Sequence, residues 1–159
     1  MADTVKPNLI KAADIRAAEC QFSHPWNPNS QLFGNQLGPL VGLQRTGVNL
    51  GRIPPGKESF VYHLHYQEEE SLNIISGKGI AEIDGKEYEV GPGDFMGFLA
   101  PSVAHHLRNP FSEDLVYLAG GEHRERWTSP TFLSSASGCC GSAIKSRLSI
   151  CRTPPSSVH

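Results

Sequence analysis

The stretch His63-Leu64-His65-Tyr66-Gln67-Glu68-Glu69-Glu70 constrains this chain more than any other. Two histidines alternate with a leucine, and Phe60, Val61 and Tyr62 precede them. Aromatic and β-branched residues in such a run predict a strand. Residues two apart on a strand share a face, so His63 and His65 present two imidazoles side by side. Rings about 6.6 Å apart along a strand can close on one ion at about 2.0–2.2 Å. Glu70 follows an acidic turn and opens a second apolar run over residues 72–75, which brings its carboxylate back alongside the rings. Ala104-His105-His106-Leu107 comes about forty residues later. His63, His65, Glu70 and His105 together offer three imidazoles and one carboxylate to a single first-row divalent ion.

Parity sorts the neighbouring residues. His106 is opposite in parity to His105 and is expected to face outward. If the loop before it twists the strand, His106 replaces His105 as the last ligand. Glu68 and Glu69 read as a solvated acidic turn. With His63 and His65 inward, Val61 is inward as well, while Tyr62 and Leu64 point outward and need a cover. Either a second subunit or the N-terminal residues could supply it, and a homodimer with Tyr62 and Leu64 near the contact is expected.

Short apolar runs separated by turn residues fill the middle of the chain. They fall at 40–45, 48–53, 59–65, 70–76, 80–83, 87–90, 95–99, 105–108 and 115–119. Pro54-Pro55-Gly56, Gly77-Lys78-Gly79 and Gly91-Pro92-Gly93-Asp94 punctuate them, and Asp84-Gly85 is a strong hairpin sequence. The pattern predicts an all-β fold, an antiparallel jelly-roll barrel or double-stranded β-helix, over residues 39–122. Residues 1–38 read as a short N-terminal lead-in, with a helix within 9–19 and a loop at 23–29 that carries His24. Residues 123–159 are rich in Ser, Cys, Arg and Pro without a period. They read as an irregular tail, either a disordered extension or out-of-frame sequence.

These residues resemble the cupin superfamily, and most closely its small single-domain members of the cupin 2 conserved-barrel type. The family's first motif is matched by Gly56, His63, His65, Glu70 and Gly77, with one residue too many between Gly56 and His63. The second is matched by Gly93-Asp94 at its start and by His105 and Asn109 at its end. Its middle departs: Leu99 stands in place of a proline, Pro101 in place of a glycine, and His105 comes one residue late. The resemblance covers residues 40–120 and implies a metal-binding barrel.

Composition narrows the function. The net charge is −2 with no basic stripe, which argues against nucleic acid and anionic membrane surfaces as partners. No apolar run approaches the ~20 residues of a membrane helix. No signal-peptide pattern opens the chain, and its four cysteines show no Cys-X-X-Cys spacing, so a reducing cytoplasm is expected. The ligand set suits Mn, Fe, Ni or Zn and leaves one or two positions for water or a small molecule. The leading expectation is a small metal-dependent enzyme, an isomerase, lyase or oxygenase, acting on a compact anionic or hydroxylated metabolite. The alternative is a non-catalytic module that binds or senses a small ligand. Further acid–base groups are not evident; Tyr117 and Gln44 qualify only if their strands turn them inward.

Overall fold

The computed structural model describes residues 7–122 and 149–150. Helices α1 (Ala12–Ala17) and α2 (Leu37–Leu40) are short. The strands are β1 (Cys20–Phe22), β2 (Leu32–Gln36), β3 (Thr46–Ile53), β4 (Lys57–Glu58), β5 (His63–Leu64), β6 (Glu70–Ser76), β7 (Gly79–Ile83), β8 (Lys86–Val90), β9 (Phe95–Phe98), β10 (His105–Asn109), β11 (Leu115–Glu122) and β12 (Ser149–Ile150). They form two sheets of antiparallel strands, the jelly-roll barrel that the alternating runs predict. One has the order β1-β2-β3-β11-β6-β9, the other β12-β5-β10-β7-β8, with β4 also on β10.

Alternation along the strands explains the core. Leu32, Ile53, Leu72, Ile74, Leu115 and Tyr117 from the first sheet meet Ala81, Val90 and Leu107 from the second. On β10, His105, Leu107 and Asn109 are buried while His106 and Arg108 between them are less so. Asn109 is 1% exposed and fully used. Its amide donates to the Ile53 and Glu113 carbonyls at 2.8 and 2.7 Å, and its oxygen accepts the Phe111 N–H at 3.1 Å. It thereby ties β10 to the end of β3 in the opposite sheet. Asp84-Gly85 forms the tight turn between β7 and β8, with positive φ at both residues (51° and 71°).

Three features differ from the sequence reading. Residues 40–45 are not a strand: α2 and a turn occupy them, with Pro39 inside the short helix and Gly42 at φ 80°. A glycine in the left-handed region reverses the chain where a strand would continue. Second, residues before 39 enter the sheet, because β1 and β2 extend it beyond β3. Third, the run 59–65 is broken: β4 ends before it at Glu58, and within it only His63–Leu64, β5, pairs as a strand. The tail lies outside the described residues except for β12, whose backbone pairs with His63 and Leu64. Among the described residues, no helix is long and apolar enough to cross a membrane.

Tyr62 finds its cover within its own chain. Its hydroxyl accepts the Gly85 N–H at 2.7 Å, and its ring lies edge-on to His106 at 5.7 Å. The N-terminal loop covers Phe60 instead: Asn27 donates to its carbonyl at 2.9 Å, and the Phe22 and His24 rings pack on its side chain.

The turn between β6 and β7 provides a test of the fold. Gly77 has φ 74°, and a Cβ there would run into the Asp114 carbonyl. Gly77→Ala is expected to destabilise the barrel by more than the ~1 kcal/mol of an ordinary glycine substitution. Urea unfolding measures this; an unchanged midpoint would contradict the β6–β7 geometry.

Candidate metal centre

His63 opens β5 and is the direct cross-strand partner of His105 on β10. Paired residues share a face, and the two ring centroids lie 4.9 Å apart. His65 lies beyond the end of β5, where no ladder holds it. A serine does so instead: Ser102 Oγ accepts the His65 N–H at 2.7 Å, and the Ser102 N–H donates to the His65 carbonyl at 2.7 Å. Ser59 makes the same reciprocal pair with Leu107, at 3.0 and 2.9 Å. Both ends of the histidine segment are therefore fastened to β10 or to the loop before it. Glu70 begins β6 opposite Gly121.

His63, His65, Glu70 and His105 each turn one ligand atom to a common point, and these atoms all lie within 4.8 Å of one another. Glu70 Oε2 is 3.0 Å from His105 Nε2 and 3.1 Å from His65 Nε2. The far side of each ring is held. His63 Nδ1 lies 2.8 Å from the Val61 carbonyl, and His105 Nδ1 lies 2.9 Å from that of Val103. A carbonyl only accepts, so both Nδ1 atoms carry the proton and, in neutral rings, both Nε2 atoms present a lone pair inward. His65 Nδ1 faces Glu68 Oε2 at 3.7 Å. Phe98 stacks on His105, with centroids 3.7 Å apart and planes 9° from parallel.

The charge states follow from these surroundings. Burial pushes His63 down to about 4, so it is neutral at pH 7. Burial alone would raise Glu70, but contacts with His105 and His65 outweigh it and hold the carboxyl at about 2. The same carboxylate raises His65 against the effect of burial. Burial, reinforced by the Glu70 charge, pushes the Tyr117 phenol above its ordinary value.

This donor set fits a divalent cation. A carboxylate and an Nε2 lone pair at 3.0 Å repel unless a proton or a metal ion lies between them. His65 Nε2 is buried without a well-directed hydrogen bond, despite its closeness to Glu70. Backbone carbonyls behind two of the rings are the outer contacts that fix imidazole ligands. The grouping could therefore hold one ion on three nitrogens and an oxygen.

His106 is not in the group. It points to the other face, where its Nε2 lies 3.2 Å from Glu82 Oε2. Of the two further candidates, Tyr117 is turned inward and is 5% exposed, whereas Gln44 lies exposed in the turn before β3. Sequence reasoning missed Ser102 and Phe98. Ser102 had no periodic pattern to mark it, and Phe98 read only as one apolar residue of a strand.

The model of the cupin domain family matches residues 49–121, the span that carries all four residues. A candidate sugar phosphate isomerase from Acidithiobacillus ferrooxidans is 38% identical, with a TM-score of 0.70 over 74% of this chain and 76% of that one. The chain belongs to the cupin family. A second cupin, a sugar phosphate isomerase from Silicibacter pomeroyi, is 29% identical with a TM-score of 0.57, over 58% of this chain and 60% of its own. An uncharacterized protein of Methanocaldococcus jannaschii, MJ1618, is 32% identical over 57 residues, 36% of this cupin and 44% of its own length.

The Ser102 clamp is open to direct test. Ser102→Ala leaves the half-buried His65 N–H without its acceptor and should cost about 1 kcal/mol or more. Chemical denaturation reads this, and a stability equal to wild type would show that His65 is positioned by something else.

Proposed function

We propose that this cupin is a metal-dependent isomerase of phosphorylated sugars, holding one divalent ion of Mn, Fe, Ni or Zn on His63, His65, Glu70 and His105. The observation that carries the metal is the convergence of four donors whose two innermost rings have their tautomers set from behind. The reaction class rests on the 38% identity to the candidate isomerase and is supported by the 29% identity to the second.

Interconverting an aldose and a ketose moves a hydrogen between two adjacent carbons while carbonyl and hydroxyl exchange places, with no net oxidation. A bound divalent ion would supply Lewis-acid polarisation of the carbonyl and hydroxyl oxygens. Glu70 serves as the anionic ligand, because it is ionised throughout the neutral range. Tyr117, protonated at neutral pH, is a buried phenol beside it. An open cavity of about 540 Å³ has Glu70 and Phe98 in its wall, together with Glu69 and Glu122. Its size is within the ~300–1,000 Å³ of small-molecule sites. Glu69 and Glu122 are its further carboxylates, and Glu69, exposed at the cavity wall, is the group that would carry a proton between carbons.

Adding Mn, Fe, Ni or Zn should raise the melting temperature, because an ion that needs residues from β5, β6 and β10 binds only the folded chain. His63→Ala and His105→Ala should each abolish that rise, while His106→Ala spares it. Loss of the rise in His106→Ala with retention in His105→Ala would put the ligand on the wrong side of β10. Catalysis is read by incubating the metal-loaded protein with aldose and ketose phosphates in D2O. Deuterium should appear at the carbon beside the carbonyl, and Glu70→Gln should remove it. A metal-loaded protein that exchanges deuterium into no sugar phosphate is not this isomerase.

A further inference from the structure

We infer that Arg45 forms the phosphate-binding subsite of the cavity, an inference that rests on the sugar-phosphate reading above. The cavity wall contains Arg45, Glu69, Glu70 and Glu122, so one guanidinium stands among three carboxylates. A phosphorylated substrate is dianionic near neutral pH, and an acidic wall repels it unless a cation is aimed at the phosphate. Among the described residues, Arg45 is the one cationic side chain of that wall.

Three other cations of the described residues are held by carboxylates. Arg52 is held by Glu19 at 2.6 Å and Asp114 at 2.9 Å, Lys78 by Glu89 at 2.8 Å, and Arg108 by Glu87. Among the described residues Arg45 has no such ion-pair partner, although two carboxylates besides Glu70 share its cavity. Its guanidinium is therefore free to take a ligand. Arginine is suited to that ligand, since its planar fork matches two phosphate oxygens at once.

Position favours the same role. Arg45 directly precedes β3, whose first residue, Thr46, pairs with Glu122 on β11; Gly47 pairs with Gly121, and Gly121 pairs with Glu70 on β6. Arg45 thus stands two strands away from the metal centre, roughly 10 Å at ordinary strand spacing. An extended sugar phosphate covers a comparable distance from carbonyl to phosphate. The carbonyl end would lie at the histidines and the phosphate at Arg45. Arg45 is then a specificity residue that selects phosphorylated over free sugars.

The test separates this subsite from the reaction. Calorimetric titration of the metal-loaded protein with inorganic phosphate at low salt should show binding in wild type. Arg45→Gln should weaken it at least tenfold, with Arg45→Lys between the two. Metal content and melting temperature should be unchanged in both variants, because Arg45 is exposed and has no ion-pair partner among the described residues. Phosphate binding that is absent from wild type, or equal in wild type and Arg45→Gln, overturns the subsite. In the deuterium-exchange assay Arg45→Gln should raise KM for the sugar phosphate at least tenfold with kcat little changed. Exchange with an unchanged KM would overturn the subsite and leave the isomerase standing. Arg45-dependent phosphate binding without any exchange would support the subsite and reject the reaction.

Discussion

A carboxylate placed among three imidazoles inside a barrel is the constraint on which the rest of this structure depends. Glu70 Oε2 lies within about hydrogen-bond distance of two Nε2 atoms, of His65 and His105, and the His105 ring turns its lone pair toward it. Burying such a group without a positive partner costs several kcal/mol. In the absence of a metal, protonation of His65 can supply the charge, and the raised pKa of His65 reflects that pull. A divalent ion supplies it without the proton, and then the low pKa of His63 becomes an advantage, since a neutral ring is already a ligand. The same four groups that burden the apo barrel would stabilise the loaded one.

The barrel is built to hold that conflict in place. The pairing of His63 with His105 sets two rings on one face of the second sheet, and Glu70 arrives from the first. The ion would join the two sheets at one end, much as Asn109 joins β10 to the carbonyls of Ile53 and Glu113 at the other. Between these ends lies an apolar core whose largest fully buried members are Ile53, Ile74, Leu107 and Leu115. Ser59 and Ser102 fasten the irregular histidine segment where the ladder lapses. The arrangement is pre-organised by backbone groups rather than by long flexible side chains, which lowers the entropic cost of ordering ligands.

Much of this could be read from the chain itself. Strand periodicity separated His105 from His106, because β10 keeps regular pairing with β7 and parity holds along it. Asp84-Gly85 carried its own turn chemistry. The strands β1 and β2 were not legible: Cys20-Gln21-Phe22 and Leu32-Phe33-Gly34-Asn35-Gln36 have weak alternation, and they are strands because β3 offers them an edge. Residues 40–45 misled in the other direction, since apolar content alone does not outweigh Pro39 and a left-handed Gly42. The parity argument for His65 reached the right face, but β5 ends at Leu64 and the reason His65 stays there is Ser102, a contact across 37 positions that no local pattern encodes. Arg45 was equally silent, because its distinction is the cavity it shares with Glu70 and not its sequence neighbours.

X-ray absorption at the metal edge of the loaded protein tests the four-residue centre most directly. One ion per chain should show nitrogen and oxygen neighbours at about 2.0–2.2 Å, with the outer-shell scattering of three imidazole rings. His105→Ala should reduce the ring count by one, and His106→Ala should leave it unchanged. A first shell containing sulfur, or one whose imidazole count does not respond to His105→Ala, would contradict a centre made of His63, His65, Glu70 and His105.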